Sequence, residues 1–300
     1  MEILGETALH LPVTADCDLP HISTQPSRTR SGRRRLIDLY EREYTIVPAD
    51  RPDRRRTAHG LRYQVYCIEN AFEDAATHPD CLEADEFDGH AVQHLLQRRS
   101  DGAAIGTVRL ILPVDDGRPG GLLDCLPFNR LARQVVPRLD LLLPLDRMAE
   151  VSRFCISKEL RRRRDGSPAD GQEARQGLAL ARYATLGLIR GLIGASIDRG
   201  ITHWCLVVEP ALLRFLSGLG FHFEPLGPVV EYHGVRQPCH ADLATLIQGV
   251  LRERPEVWEV ITDDGRLLPP PGPVQERCAP RSRLRFHAPL PTGKVEFAAA

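Results

Sequence analysis

The sequence predicts an α+β fold in which helices flank a mixed, mostly antiparallel sheet. Two apolar runs, 90–97 and 103–113, are separated by an Asp-Gly turn, which is typical of a β-hairpin. A helix of about 25 residues lies between two later strands, and it is long enough to cross over the sheet and make those strands parallel neighbours. The glycine motifs that bind phosphates in doubly wound folds do not occur, which argues against a nucleotide-binding fold.

The other elements follow from periodicity and from capping residues. Apolar residues at a spacing near 3.6 predict a helix over 60–72. The long helix is expected to begin at its cap residue Asp170 and to end at Gly200. The remaining predicted elements are strands at 150–157 and 203–208, a short helix at 211–217, two extended pieces within 221–234 and a last helix at 241–252.

The compact unit is expected to span 36–265. Residues 1–35 are predicted to form a poorly ordered arm, and 266–300 a Pro-rich tail that sustains neither a helix nor a strand. The Arg-rich stretch 28–56 has ten arginines against five acids, and it predicts little regular structure apart from a short helix near 36–40.

Charge and composition exclude several classes of function. The 39 basic and 40 acidic residues nearly cancel, so the cationic surface of a nucleic-acid-binding protein is not expected. Eight cysteines occur without a C-x-x-C pair and the histidines show no zinc spacing, so no metal site is predicted. The most apolar stretch, 178–197, contains two arginines, and no basic N-terminal segment precedes an apolar run. We therefore expect a cytoplasmic protein that does not span a membrane.

A strongly acidic segment follows the first predicted helix. Between Glu69 and Asp88 the chain has eight acidic residues and no lysine or arginine. Glu83, Asp85 and Asp88 adjoin an apolar strand and are expected at an edge of the sheet. Carboxylates in such a place are paired with arginines or presented to a cationic ligand, because burying an unpaired charge is costly.

Three arginines, Arg62, Arg109 and Arg153, lie within otherwise apolar elements. Strand positions that face a core exclude a guanidinium unless it is paired. The carboxylates available for pairing include those of Asp85, Asp88 and Glu150. A structural ion-pair network and a ligand site perturb charges in similar ways, so both interpretations stay open on these residues alone.

Five motifs, taken in order, resemble those of the acyl-homoserine-lactone (autoinducer) synthases and the related N-acyl amino acid synthases. The motifs are Arg62-Tyr63-x-Val65-Tyr66, Phe72, Glu83-x-Asp85-x-x-Asp88, Gly106-Thr107-x-Arg109-Leu110 and Glu150-x-Ser152-Arg153-Phe154. The sequence resembles more closely the acyltransferases associated with the PEP-CTERM/exosortase system. It shares their Arg-Tyr-x-Val-Tyr-Cys opening and their Glu-Tyr-His-Gly-x-Arg-Gln-Pro-Cys segment, here 231–239, and the resemblance spans about 60–245.

The resemblance implies a GNAT-like acyltransferase fold and an N-acyltransferase. The enzyme would move a fatty acyl group from an acyl carrier protein thioester, or from acyl-CoA, to the amine of a small acceptor, with no tightly bound cofactor. The His-Gly-x-Arg-Gln-Pro-Cys segment and the long tails depart from the lactone synthases. This departure places S-adenosylmethionine in doubt as the acceptor and favours an amino acid or another amine.

The resemblance also assigns roles to residues. Arg62, Phe72, Asp85, Asp88, Arg109, Glu150 and Arg153 match its site positions. Attack by an amine on a thioester requires a neutral amine and a donor for the oxyanion. Glu150 is therefore the candidate base, acting directly or through water. Asp85 and Asp88 would attract the acceptor's ammonium. Backbone N–H groups within 154–157 would bind the thioester carbonyl if their strand separates from the strand at 203–208.

Two further assignments concern the acceptor and the carrier protein. His233 and Arg236 are hypothesised to bind an acceptor carboxylate, although a strand-end histidine more commonly makes an ordinary hydrogen bond. The run Arg161, Arg162, Arg163 and Arg164 forms a basic patch that fits an acidic acyl carrier protein better than it fits a phosphate cradle.

Strict alternation along a strand creates one difficulty, since it places Glu150 and Arg153 on opposite faces of the sheet. A joint role therefore requires a β-bulge between them, or a position for Glu150 at the mouth of the strand. Two alternative functions also remain. One is an acetyl-CoA-dependent acetyltransferase, and the other is a non-catalytic binding component of a polysaccharide or protein-sorting system, which exposed site carboxylates and the lack of a tunnel would favour.

Overall fold

The computed structural model describes residues 35–114, 122, 125–129, 143–158, 183–231 and 234–269. The helices are α1 (Leu36–Glu43), α2 (Pro52–Tyr63), α3 (Thr185–Asp198), α4 (Pro210–Gly218), α5 (Leu243–Glu253) and α6 (Pro255–Ile261). The strands are β1 (Tyr44–Pro48), β2 (Ala91–Arg98), β3 (Ala104–Ile111), β4 (Met148–Ile156), β5 (His203–Val208), β6 (Glu224–Pro225), β7 (Val230–Glu231) and β8 (Val235–Asp242). Every helix in this part of the chain is too short or too polar to cross a lipid bilayer.

The strands form a sheet in the order β1-β2-β3-β4-β5-β8-β6, and β7 pairs with β8. Neighbouring strands are antiparallel except β4 and β5, which are parallel and have α3 between them in the chain. The predicted hairpin is formed by β2 and β3, and Gly102 takes the positive φ of 70° that its turn requires. The predicted mixed sheet and its single parallel pair are confirmed.

The two faces of the sheet are covered by different layers. On one face, Val108 and Leu110 of β3 join the main core with Leu188 and Leu192 of α3. On the other face, Leu95 of β2 packs against α2. Two smaller hydrophobic clusters on this face involve the segments that follow α2 and β3. Thr107 and Arg109 point to this second face because side chains alternate along β3. The second face is where the charged residues of the sequence motifs meet.

Strands β4 and β5 are paired for only part of their length. Their ladder joins Met148–Glu150 to the start of β5 and ends where Glu150 faces Cys205, although both strands continue beyond this point. From there β5 pairs only with β8, along its whole length. The two central strands therefore splay apart, as expected, and Glu150 lies at the mouth of the opening.

The region before the hairpin is more ordered than the sequence suggested. The expectation of little regular structure over 28–56 is wrong for the part that is described, because α1, β1 and the start of α2 all lie within it. Buried Ile37, Tyr40 and Tyr44 anchor α1 and β1 to the core. The helix predicted at 60–72 begins earlier, with Pro52 in its first turn, and continues as a π-helical turn over Gln64–Glu69.

The C-terminal part of the sheet also differs from prediction. The extended pieces expected within 221–234 are only the two-residue strands β6 and β7, whereas the main strand is β8. Its proline, Pro238, obscured this strand in the sequence, since proline cannot donate to a ladder. In the structure the Pro238 carbonyl accepts the Leu226 N–H at 2.9 Å. The following helix starts at Leu243 because the Asp242 side chain caps it by accepting the Thr245 N–H.

Glycines on α3 allow this helix to lie close to its neighbours. A Cβ at Gly187 would fall 2.2 Å from the Tyr40 hydroxyl, which donates a hydrogen bond to the Ala184 carbonyl at 3.0 Å. A Cβ at Gly191 would fall 2.8 Å from the ring of His94. Helix α3 is therefore fixed against α1 and β2 by two positions that accept no side chain. The end of α3 is as predicted, since Gly200 has a φ of 67° just past the helix. The helix begins at Thr185 and has 14 residues, fewer than the predicted length of about 25, and the predicted cap Asp170 lies outside the described residues.

We expect Gly187→Ala to lower the free energy of unfolding by about 1–3 kcal/mol, because the new methyl group overlaps the buried Tyr40 hydroxyl. Gly194→Ala is the matched control in the same helix, since no atom lies within 4 Å of its added Cβ. That variant should be stabilised by roughly 0.5–1 kcal/mol through helix propensity. Urea unfolding of the two variants measures both values, and equal stabilities would contradict the close packing at Gly187.

Candidate active site

A buried ion-pair cluster lies on the second face of the sheet, and Glu83 is at its centre. Arg153 donates to the Glu83 carboxylate through Nε at 3.1 Å and through Nη2 at 2.9 Å. The Nε of Arg62, from the last turn of α2, donates to Oε2 of the same carboxylate, the oxygen that also accepts from Arg153 Nε. The three side chains are at most 2% exposed. Glu83 therefore joins α2 to β4 through the interior of the protein.

Asp88 and Asp85 form the second part of this cluster. Asp88 Oδ1 accepts from Arg62 Nη1 at 2.7 Å and from Arg109 Nη1 at 3.0 Å. Asp85 accepts from Arg109 and lies 3.5 Å from Arg153 Nη2. The spacing of the two aspartates follows from a capping box at the start of a 3₁₀ helix over Glu86–His90. Asp85 Oδ1 accepts the Phe87 N–H, and Asp88 Oδ2 accepts the Asp85 N–H.

A β-bulge in β4 places Arg153 on the same face as Glu150. Ser152 faces Arg109 and Cys155 faces Thr107, so two residues of β4 occupy the space opposite one residue of β3. Arg153 has a φ of 47°, a conformation that is uncommon for residues other than glycine. The bulge resolves the alternation difficulty, since the side chains on either side of it share one face.

Aromatic and hydroxyl groups complete the surroundings of the arginines. The Arg153 guanidinium lies 5.3 Å from the centroid of the Tyr66 ring, which in turn contacts Phe72. Arg109 Nε donates to the Ser152 hydroxyl at 2.9 Å. The predicted pocket residue Phe72 is thus close to the cluster, whereas Tyr66 and Ser152 had been recognised only as members of the sequence motifs.

Glu150 is completely buried at the mouth of the splay. Its Oε2 accepts the backbone N–H of Phe128 at 2.7 Å. Of the backbone N–H groups expected to hold a carbonyl within 154–157, that of Ser157 is taken, because it donates to the Ile105 carbonyl of β3. The expectation for this group is therefore wrong. Cys155 faces Thr107 in the same ladder and its N–H points to the same side as that of Ser157, so Phe154 and Ile156 stay candidates.

The cluster carries an excess of negative charge. Three guanidiniums, from Arg62, Arg109 and Arg153, face four carboxylates, from Glu73, Glu83, Asp85 and Asp88. Burial by itself would raise the pKa of Glu83, but the adjacent Arg153 and Arg62 lower it well below the usual range. Burial would likewise raise the pKa of Asp88, but Arg62 and Arg109 lower it. Glu83 and Asp88 therefore stay ionised at neutral pH, whereas burial raises the pKa of Glu73. By formal charge, one more cation would balance the cluster.

Two polar residues beside Asp88 were missed at the sequence level. Gln93 Nε2 donates to Asp88 Oδ1 at 3.1 Å and lies 3.2 Å from Nε2 of His59. Burial, followed by repulsion from Arg62, lowers the pKa of His59, so its ring is neutral at pH 7. A glutamine on the buried side of an apolar strand was the available indication. Glu73 was also missed, because it belongs to none of the sequence motifs.

Of the other predicted site residues, Arg236 is described and does not lie in this cluster. Arg236 is buried on β8 and pairs with Glu209, the residue before α4, at 3.2 Å. His233 and the run 161–164 lie outside the described residues, so their roles stay predictions. In the described part of the chain, no group of three or more His, Cys, Asp or Glu side chains is arranged to hold a metal ion.

A small apolar cavity lies on the opposite face of β4, beside the splay. Its volume is about 20 Å³, and Val151 and Phe154 of β4, Trp204 of β5 and Phe221 are among its lining residues. Glu150 thus lies between an apolar cavity on one face of the sheet and a charged cluster on the other. The site carboxylates are at most 13% exposed. The burial of these carboxylates disfavours the non-catalytic alternative, whereas a cavity of this volume is not the tunnel that would argue further against it.

The cysteines near the cluster are poor nucleophiles. Burial raises the pKa of Cys67 to about 11 and that of Cys155 to about 12. Both thiols therefore remain protonated at neutral pH, whereas the deprotonated thiolate is the reactive form of cysteine. The arrangement is consistent with direct transfer between two substrates and does not suggest a covalent cysteine intermediate.

Comparison with known proteins agrees with this geometry. Residues 61–166 match the model of the acetyltransferase (GNAT) domain. Among curated proteins, a search found no match.

Similar solved structures include lactone synthases and an N-acyl amino acid synthase. TofI, in a ternary complex with an inhibitor and MTA, is 17% identical, with 69% of this chain and 96% of that chain covered and a TM-score of 0.49. BjaI, a CoA-dependent acyl-homoserine lactone synthase with SAM and isopentyl-CoA, is 17% identical, with 77% and 94% covered and a TM-score of 0.47. FeeM, an N-acyl amino acid synthase from uncultured soil microbes, is 17% identical, with 69% and 96% covered and a TM-score of 0.43.

These identities and TM-scores are low, so the assignment of the fold rests on the sheet, its splay and the domain match. The fold is GNAT-like: a mixed, mostly antiparallel sheet flanked by helices, with a central parallel pair that separates at Glu150. The domain match also indicates an acyltransferase. The predicted fold and the predicted enzyme class are both confirmed.

We expect Glu83→Gln to lower the free energy of unfolding at pH 7 by about 3–5 kcal/mol, because it leaves two buried guanidiniums without their shared carboxylate. Glu253→Gln is the control, since this exposed carboxylate pairs only with His222 at the surface. Its loss should cost less than about 1 kcal/mol. Urea unfolding measures both.

The pH dependence gives a second test of the same variant. The folded protein lowers the pKa of Glu83, so the stabilisation is complete above the unfolded pKa of about 4.3 and is lost as the pH falls below it. The difference in stability between the wild type and Glu83→Gln should therefore shrink in acid. A difference that stays constant from pH 7 to pH 3 would contradict an ionised, paired Glu83.

Proposed function

We propose that the protein is an N-acyltransferase that moves a fatty acyl group from an acyl carrier protein thioester to the primary amine of a small acceptor, an amino acid. The observation that carries this proposal is the splay at Glu150, which has an apolar cavity on one side and a negatively charged cluster on the other. An acyl chain matches the first environment, and an ammonium group matches the second. The acyl carbon and the amine would meet between them.

The donor would lie along the open edge of β4. Beyond Glu150 no described strand pairs with β4 on the β5 side, so the backbone of β4 could bind the arm of a thioester there. The backbone N–H groups of Phe154 and Ile156 would donate to the thioester carbonyl and stabilise the oxyanion. Phe154 and Val151 would then direct the acyl chain into the apolar cavity that they line.

The acceptor would approach from the charged face. Its ammonium is attracted by the excess negative charge around Asp85 and Asp88, which Arg109 and Arg153 hold in position. Glu150, directly or through one water, takes a proton from the ammonium and leaves a neutral amine. The amine nitrogen bonds to the acyl carbon, the C–S bond breaks, and the thiol leaves with the proton that the new amide gives up.

An acetyl-CoA-dependent acetyltransferase is the second candidate, because the cavity of about 20 Å³ is small. On this measure one water needs about 10–15 Å³, so the cavity has room for about one water and a long acyl chain enters only if side chains such as Phe221 move. The association with a PEP-CTERM/exosortase system and a cytoplasmic location stay predictions from the sequence.

One experiment separates these functions. The purified protein is incubated with acetyl, butyryl, octanoyl and tetradecanoyl thioesters, each on acyl carrier protein and on coenzyme A, together with pooled amino acids. Mass spectrometry then identifies the products. Long-chain N-acyl amino acids support the proposal, products from acetyl-CoA alone support the acetyltransferase, and the absence of any N-acyl product overturns both.

Glu150→Gln should fold as the wild type does and lose transfer by about 10²–10⁴-fold in kcat, since the amide keeps the size of the side chain but removes the proton acceptor. Glu224→Gln makes the same chemical change on a side chain that is 78% exposed, and it should leave the rate unchanged. Steady-state kinetics with the best donor measures both. Full activity of Glu150→Gln at neutral pH would remove Glu150 as the base.

The basic run Arg161, Arg162, Arg163 and Arg164 is proposed to attract the acidic carrier protein. Conversion of all four to glutamate should strongly reduce kcat/KM with acyl carrier protein and affect a minimal acyl-pantetheine thioester little, because the attraction acts over about 10 Å at 0.1 M salt. Added salt should also lower the wild-type rate with the carrier protein.

The control for this prediction carries the same charge change elsewhere. Four exposed arginines that are scattered over the surface, Arg147, Arg214, Arg252 and Arg266, are converted to glutamate. This variant should use the carrier protein nearly as well as the wild type does. If both variants lose activity equally, or if neither loses any, the run 161–164 is not a docking site and acyl-CoA becomes the preferred donor.

A further inference from the structure

A groove of about 610 Å³ lies at the edge of the sheet, where β2 continues past the end of β1. Asp88 and Gln93 line it, and so does Arg55 on the exposed side of α2. Asp88 belongs to the charged cluster, so the groove connects that cluster to the surface of the protein. The volume is within the roughly 300–1,000 Å³ of small-molecule sites.

The orientation of the Gln93 amide follows from its neighbours. The amide nitrogen lies 3.1 Å from a carboxylate oxygen of Asp88, which can only accept, so this atom must be the donor. The same nitrogen lies 3.2 Å from Nε2 of His59, which therefore accepts and carries its proton on Nδ1. His59 and Asp88 together fix the amide.

This arrangement leaves the other end of the Gln93 side chain without a partner. Oε1 of Gln93 is buried and accepts no hydrogen bond among the described residues, and the whole residue is 5% exposed. A buried acceptor without a donor destabilises a protein, so native structures rarely leave one unmatched. A ligand that brings an N–H donor to this wall of the groove would satisfy Oε1.

The charges of the groove define the ligand further. Asp88 contributes negative charge next to Gln93, and the cluster behind it carries one formal negative charge in excess. Arg55 at the exposed side has no carboxylate partner in the described part of the chain. The groove is also lined by charged residues of both signs, Asp50, Arg190, Asp198, Arg199 and Asp263. A cation therefore fits beside Asp88 and Gln93, and an anion fits beside Arg55.

We propose that this groove is the acceptor subsite, that it takes a zwitterionic amino acid, and that Gln93 is its specificity-determining residue. Gln93 Oε1 accepts an N–H of the ammonium, Asp88 balances its charge, and Arg55 binds the carboxylate. The inference rests on the proposed function, because it names the subsite at which the acceptor of that reaction binds.

The test measures binding without a donor, so it does not depend on transfer. The full-length protein is mixed with the twenty common amino acids at equal concentration, and the retained compounds are quantified by mass spectrometry after ultrafiltration. The corresponding 2-hydroxy acids serve as probes that lack the ammonium. Wild type should retain one or more amino acids and none of the hydroxy acids.

Gln93→Leu should weaken this binding by roughly 10- to 100-fold, the effect expected when a hydrogen bond to a charged group is lost. In the transfer assay the same change should appear in KM for the amine, with kcat changed little. Gln97→Leu is the matched control, since it makes the same substitution on β2 outside the groove. It should bind as the wild type does.

Arg55→Gln keeps the test decisive if Gln93→Leu fails to fold, because Arg55 is exposed on α2. This variant should lose amino acids but retain isoamylamine, which has no carboxylate. Failure of the wild type to retain any amino acid, equal retention by Gln93→Leu, or retention of hydroxy acids would overturn the subsite. Binding that follows the expectation without any acyl transfer would overturn the proposed function alone.

Discussion

The carboxylate of Glu83, held between Arg62 and Arg153, is the interaction on which the site depends. It joins α2 to the bulge of β4, and Asp85 and Asp88 follow it closely in the chain, so their positions are fixed by the same contact. The positive φ of Arg153 is strained for a residue with a side chain, and two hydrogen bonds to Glu83 offset that strain. The bulge in turn brings Arg153 onto the face that Glu150 shares.

Stability alone does not explain such a cluster. Buried ion pairs lose most of their attraction to the cost of desolvation, and apolar side chains of similar volume are often as stable in their place. The arginines also keep buried N–H groups without partners in the described part of the chain, at Nη2 of Arg62 and Arg109 and at Nη1 of Arg153. This network is costly to bury, leaves some of its hydrogen-bond donors without acceptors and has one formal negative charge in excess. Binding of a ligand explains these features better than stability does.

Local patterns in the sequence predicted the hairpin, the parallel pair and the end of α3 at Gly200, because turn residues and periodicity act over a few positions. The charged motif residues were also identified. The central position of Glu83 and the contact of Glu73 with Arg153 were not predicted, because neither the α2 sequence nor the β4 sequence indicates that the two segments are in contact. Strand β8 was missed because Pro238 interrupts its pattern, and β1 because arginines surround its five residues. A joint role for Glu150 and Arg153 required either a bulge between them or a position for Glu150 at the mouth of the strand, and the bulge is observed.

We propose that the Arg62–Glu83–Arg153 cluster is retained for function and not for stability. The most direct measurement is the quadruple variant Arg62→Met, Glu73→Gln, Glu83→Leu, Arg153→Met, for which urea unfolding and acyl transfer are measured on the same preparation. Glu73 is included because it pairs with Arg153, whereas Asp85 and Asp88 keep Arg109. We predict a folded protein about as stable as the wild type, since the remaining carboxylates of the cluster keep a cation, and a loss of nearly all transfer. A quadruple variant that transfers acyl groups at the wild-type rate would contradict the account.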